Sequence, residues 1–196
     1  MLIKLLSDLD KKHLLELSKL LALADKPLLW DGKTSDEFTS STDLSALSIQ
    51  EGEQERELIA ELEQSINPSS LSSPFTVGFG FGFASSTDVE SRLIEVLKTF
   101  PIPKAEKPET RVQAATTVLK ELLKGKKFEL PTAPKVILFE LLLVALRDGT
   151  ITNVEWALLK EFQLHHQLED FIFDDLLERA ETLNQEVSKT ISIILE

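Results

Sequence analysis

The chain has no cysteine. That removes disulfides, thiolate metal sites and cysteine nucleophiles, and it leaves no requirement for an oxidising compartment. It also lacks a membrane span, which needs roughly 20 consecutive apolar residues. The run 136–146 is too short and is interrupted by Glu140. No signal-peptide h-region can be drawn, since MLIKLL is followed at once by Asp8, Asp10, Lys11 and Lys12. Histidine is scarce, and nothing in the order of residues brings a Ser–His–Asp set or a carboxylate pair together. The expectation is a cytoplasmic protein that is not an enzyme.

What is present is the composition of a folded protein: 42% hydrophobic and 28% charged residues over 196 positions, enough to bury a real core. The net charge of −12 is unevenly spread. Residues 1–66 carry 7 Lys/Arg against 14 Asp/Glu, residues 67–133 carry 9 against 7, and residues 134–196 carry 5 against 12. Acidic ends repel nucleic-acid phosphates and anionic lipid, which excludes unaided binding to either. They favour cations and protein partners with a basic surface.

Helical periodicity dominates. Leu14, Leu17, Leu21 and Ala24 share a face behind a Ser7-x-x-Asp10 cap. Residues 25–52 read as a long connection, with Ser48-x-x-Glu51 starting a second helix that carries Leu58, Ile59, Leu62 and Ile66. A third follows Thr87, with Val89, Leu93, Val96 and Leu97 inward, and residues 101–109 read as a stiff proline-spaced connector. Pro108 opens a fourth helix that Gly125 closes. The Leu-rich run after Pro134 predicts a central, largely buried helix. Beyond it, Leu168, Phe171, Ile172, Leu176, Ala180 and Leu183 form one stripe, and Val187, Ile191 and Leu195 a terminal one. The expectation is a single all-α domain over 1–196, a compact bundle of about eight helices built from helix hairpins. Its parts are an N-terminal half (1–66), an insertion with connector (67–107) and a C-terminal half (108–196).

The insertion contains a Phe/Gly-rich ribbon, 75–83, in which Val77, Phe79, Phe81 and Phe83 alternate with glycines. Period two suggests an extended piece. It is not a phosphate loop, since G-K-[ST] is missing from this segment. Its phenylalanines either plug the core or present a docking strip, and the aggregation hazard of an exposed Phe row favours the plug.

Two stretches look like copies of one device, residues 20–37 and 142–155. Each runs from an apolar helix to Asp-Gly and then to T-x-x-E: Asp31-Gly32 with Thr34 and Glu37, and Asp148-Gly149 with Thr152 and Glu155. The repetition suggests a pseudo-symmetric helical domain. In physical terms each T-x-x-E is a capping box, and each Asp/Glu pair also offers hard oxygen ligands.

A helix that ends in Asp-Gly, followed by a small polar residue and Glu, resembles the hairpin of TerB-like tellurite-resistance domains. The similarity runs over 138–183, with Arg147 where that family usually has Ala. The resemblance implies an all-helical, cytosolic, non-enzymatic module of stress-response complexes. It also implies a divalent cation (Ca²⁺, Mg²⁺ or Mn²⁺) held by Asp31, Glu37, Asp148 and Glu155. The alternative is a structural or adaptor protein without metal. It would dock a basic partner through the ribbon and the carboxylate face formed by Asp170, Asp174 and Glu178, which recur every four residues. His165-His166 stands near a predicted helix end, and adjacent residues on a helix point apart and do not chelate.

Overall fold

A computed structural model describes residues 2–66 and 86–195. The Phe/Gly-rich ribbon with Phe79, Phe81 and Phe83 lies outside the described residues. Among those described, the chain is all-α except for one small ribbon. In order it forms α1 (Asp8–Leu23), β1 (Leu28–Trp30), β2 (Leu47–Ile49), α2 (Glu53–Ile66), α3 (Ser86–Lys98), α4 (Ile102–Ala105), α5 (Pro108–Leu123), α6 (Ala133–Ala145), α7 (Asn153–His165) and α8 (Asp170–Leu195).

Two helices organise the packing. α6 lies against α1, α7 and α8, and α1 also receives α2, α3 and α5. That is why α6 is apolar on nearly every side: Ile137, Leu138 and Leu142 are fully buried, with Leu141 and Ala145 close behind. Each such leucine or isoleucine contributes roughly 1.5–3 kcal/mol by leaving water. One hydrophobic cluster runs from Ile3 to Ala180. Inside it Glu140 of α6 is only 1% exposed. Its Oε1 accepts the backbone amide of Leu2, its Oε2 has no partner, and burial raises its pKa.

The helix ends follow the local chemistry of the sequence. Ser7 caps α1 by accepting the Asp10 amide, Pro108 and Pro134 stand in the first turns of α5 and α6, and Thr152 and Glu155 form a complete capping box on α7. Gly125 and Gly149 take φ of 72° and 93°, the left-handed conformation that ends α5 and the α6 turn.

Three expectations need correction. Residues 25–52 are not a bare connection: β1 and β2 pair antiparallel, Leu28 with Ile49, Leu29 with Ser48 and Trp30 with Leu47. Ser48 therefore belongs to a strand, and α2 begins at Glu53. The period-two pattern of Leu28, Trp30, Leu47 and Ile49, all buried, is what a core-facing ribbon requires. The proline-spaced connector contains the short helix α4, which buries Ala105. Finally, the two terminal stripes lie on one 26-residue helix, α8, and its register differs from the expected one. Phe173 and Ala180, seven residues apart, are its fully buried positions, whereas Phe171 is 57% exposed.

The two Asp-Gly copies also differ in what they build. Asp31 and Gly32 both have positive φ (54° and 73°) and close a tight hairpin. In it Trp30 N donates to Lys33 O at 2.8 Å and Lys33 N to Trp30 O at 3.0 Å. Two left-handed residues in succession are what the I′ hairpin turn demands. Asp148-Gly149 instead ends a helix. The first copy is thus a β-turn followed by a capped 3₁₀ turn, Ser35–Glu37, and not a helix–turn–helix.

Candidate functional site

The C-terminal ends of α1 and α6 and the first turn of α7 meet around a cleft of about 30 Å³, lined by Ala22, Lys26, Leu58, Arg147, Asp148 and Glu155 among others. That volume holds a water or two and no organic substrate.

Glu155 is the centre of the cleft. Its Oε2 accepts the Thr152 amide at 2.8 Å, and its own amide donates to Thr152 Oγ1 at 3.3 Å. Burial pushes its carboxyl up to about 7, partly offset by the Thr152 amide and reinforced by the negative charges of Asp25 and Asp148. Asp148 is exposed, and its Oδ1 accepts the Thr150 amide at 3.2 Å, an Asx-type turn that directs the chain from α6 to α7. Arg147 donates to Glu61 of α2 at 3.1 Å. A carboxyl that burial pushes up to about 7 suits proton transfer.

Of the four residues expected to bind a cation, Asp148 and Glu155 share this cleft. Asp31 stands at the apex of the β1 hairpin, and Glu37 closes the capping box with Thr34, accepting its amide at 3.0 Å. Among the described residues no group of three or more His, Asp or Glu side chains is placed to hold a metal ion. The donor chemistry agrees. Lys26 and Arg147 line the same cleft, and backbone amides already use the carboxylates of Asp148 and Glu155. A hard cation wants six or more oxygens, so the residues present do not fit one.

Asp25 is the residue missed from sequence. The stretch A-L-A-D (22–25) ends α1 as A-L-R-D (145–148) ends α6. Superposing helix ends instead of Asp-Gly pairs would have matched Asp25 with Asp148, the two charges that Glu155 feels.

The histidines also come together. The His13 and Phe128 ring centroids lie 5.9 Å apart, Phe128 and His166 5.0 Å, and Phe162 and His166 4.5 Å. His13, isolated in sequence, is thus part of an aromatic stack between α1 and the end of α7, in which His13 and Phe162 are buried and Phe128 and His166 half-buried. Burial lowers His166 to about 4, helped by His165 and His13.

On the outside of the bundle α8 carries exposed carboxylates and an exposed apolar stripe. Asp170, Asp174 and Glu178 are exposed, as are Asp175 and Glu181. Asn184 Nδ2 donates to Leu146 O at 2.8 Å, which fastens α8 over the end of α6. Past that bond every residue from 185 to 195 is exposed, including Val187 (48%), Ile191 (50%) and Ile194 (74%). No helix among the described residues is long and apolar enough to cross a membrane. Comparison with protein-family models, curated proteins and solved structures finds no match to this chain.

Proposed function

We propose that this chain is a non-catalytic, TerB-like interaction module that docks a protein partner along the outer face of α8. The observation that carries the reading is the apolar stripe Leu183, Val187, Ile191 and Ile194, left uncovered among the described residues on a helix whose earlier turns are packed. Apolar surface of this extent beside polar residues marks interaction sites in soluble proteins. The acidic first half of α8 adds charge selection, since exposed carboxylates steer basic surfaces toward it. The α6–α7 cleft serves the fold: its carboxylates cap and turn the chain, and its volume admits no substrate. The TerB-like pattern over 138–183 fits the same reading, because in that family the hairpin belongs to interaction modules.

The test uses a labelled lysine-rich amphipathic peptide followed by fluorescence anisotropy. Binding should be saturable, weaken with salt, and fall about tenfold or more for the double variant Val187→Asp/Ile194→Asp. Asp174→Asn/Glu178→Gln should weaken it less and flatten its salt dependence. Equal affinity of all three proteins would remove α8 as the docking face.

A further inference from the structure

We infer that the loop between α5 and α6, residues 124–132, is a strap that acid releases from the bundle, with His166 as the group that takes up the proton. The inference is independent of the docking role of α8.

The first observation is how lightly the loop is held. Of its nine residues only Lys126 and Phe128 are not exposed. Its backbone hydrogen bonds stay local: Lys124 N donates to Lys120 O, Lys126 N to Leu123 O and Ala133 N to Leu130 O. Two side chains therefore fasten it to the rest of the bundle. Phe128 packs against the core, and Lys126 pairs with Glu16 of α1 at 3.6 Å.

The second observation is what each fastening touches. The Phe128 ring meets two imidazoles, with centroids 5.9 Å from His13 of α1 and 5.0 Å from His166 at the end of α7. Nε2 of His166 is buried without a hydrogen-bond partner, and so are both ring nitrogens of His13. Lys126 shares its carboxylate, because Glu16 Oε2 also stands 3.5 Å from His13 Nδ1. Both fastenings thus end on groups whose charge follows pH.

Together these set the direction. A proton on His166 makes an imidazolium whose Nε2 has no acceptor. The other charges that bear on it, from His165 of α7 and His13 of α1, have its own sign when present. The carboxylate of Glu16 is taken up by His13 and Lys126. Burial and the two histidines hold the His166 pKa at about 4 while the strap is seated. A buried ion without a partner is relieved when water reaches it. Phe162 and His13 stand on helices packed in the core, so the ring that gives way is Phe128, carried by an otherwise exposed loop. A charge on His13 acts in the same sense, since it draws Glu16 away from Lys126. Proton uptake and strap release are therefore linked, and each favours the other.

A single 4-fluorophenylalanine at position 128 of the full chain reads the seat by fluorine NMR. The chain's three histidines give three Cε1–H resonances that read protonation. On acidification from about pH 7.5 to about pH 4, the fluorine should move from a buried shift to one that responds to exchange of water for heavy water. The midpoint should lie between about 4 and 6.5 and coincide with that of the His166 resonance, while far-UV circular dichroism stays constant. His166→Phe should lower the midpoint by on the order of one pH unit or more, and Lys126→Met should raise it. A fluorine that stays seated across the range overturns the inference. So does release that comes only with loss of helix, or an unchanged midpoint in His166→Phe. Should that variant not fold, the parent decides alone: one midpoint for ring and imidazole supports the strap, and two different midpoints overturn it.

Discussion

Arg111 of α5 closes the C-terminal end of α1: its Nε donates to Ala24 O at 2.8 Å, and its Nη2 reaches Lys26 O at 2.7 Å and Leu23 O at 3.2 Å. The last carbonyls of a helix lack intrahelical donors, and here a planar guanidinium from a neighbouring helix supplies them. Burial lowers its pKa to about 10, while Asp25 and Glu106 help to keep it charged. Arg111→Met takes this donor from the carbonyls of Ala24 and Lys26, while Leu23 O keeps the Lys26 amide at 3.3 Å, and should cost about 3 kcal/mol. Arg111→Lys should recover little of this, because an ammonium cannot span three carbonyls as the fork does. Thermal melts of the three proteins decide it: a Lys variant that melts with the parent would show that charge, not the fork, is what α1 needs.

Glu155 gives the pH dependence a definite sign. Its carboxyl titrates near 4.5 in an unperturbed chain and near 7 in the fold. Both states are protonated below the lower value, so the fold bears no penalty there. As pH rises toward 7 only the unfolded chain ionises, and stability falls by roughly 2–3 kcal/mol. Glu155→Gln keeps an acceptor for the Thr152 amide and removes the ionisation. Its melting temperature should match the parent near pH 4.5 and exceed it increasingly up to pH 8. A constant offset across that range would refute the assignment.

His166 works in the opposite direction. The fold holds it neutral down to about pH 4, whereas the unfolded chain takes up a proton near 6.5. Its contribution is complete above 6.5 and is lost as pH falls toward 4. His166→Phe preserves the stack with Phe128 and Phe162 and deletes a buried nitrogen, Nε2, that has no partner. The difference between variant and parent melting temperatures should widen from pH 7 to pH 4. No widening would mean that His166 protonates as freely in the fold as in the unfolded chain.

Added cation should leave the protein unchanged. A site filled only in the folded state stabilises by about 2.7 kcal/mol at a hundredfold excess over Kd, or roughly 5–11 °C for a chain of this size. Melts with chelator and with millimolar Ca²⁺, Mg²⁺ or Mn²⁺ should coincide for the parent and for Asp148→Asn. A rise of that size in the parent, absent from the variant, would restore Asp148 and Glu155 as ligands.

Helix number and the buried faces of α1, α2, α3, α5 and α6 could be read from spacing because they are local: Leu14, Leu58, Leu93, Leu119 and Leu141 each lie on a stripe set by their own helix. Capping was legible for the same reason, since Thr152 and Glu155 satisfy each other within one turn. The β1–β2 ribbon was not, because a three-residue strand has no meaning until Leu28 finds Ile49 across twenty intervening residues and a hairpin. The register of α8 was missed because Phe171, Ile172 and Phe173 are equally apolar, and only packing against other helices decides that Phe173 goes inside, where its ring meets Trp156 edge-on and lies under Lys160 of α7. Of the candidate cation set, Asp148 and Glu155 line one cleft, and among the described residues no group of three or more carboxylates or histidines is placed to hold a metal ion. Matching Asp31 to Asp148 by their glycines passed over Asp25, which the fold brings to Glu155 by a helix end.

The amide of Leu2 ends on Glu140, at the centre of the most buried helix in the protein. A cut between Leu2 and Asp8 would therefore free the one donor that, among the described residues, reaches a carboxyl sealed among leucines. That group would have to hold a proton at neutral pH or draw water inward, and either change would loosen α6 along its length. A disturbance at Leu2 is thus felt in the packing of α6, at the middle of the bundle.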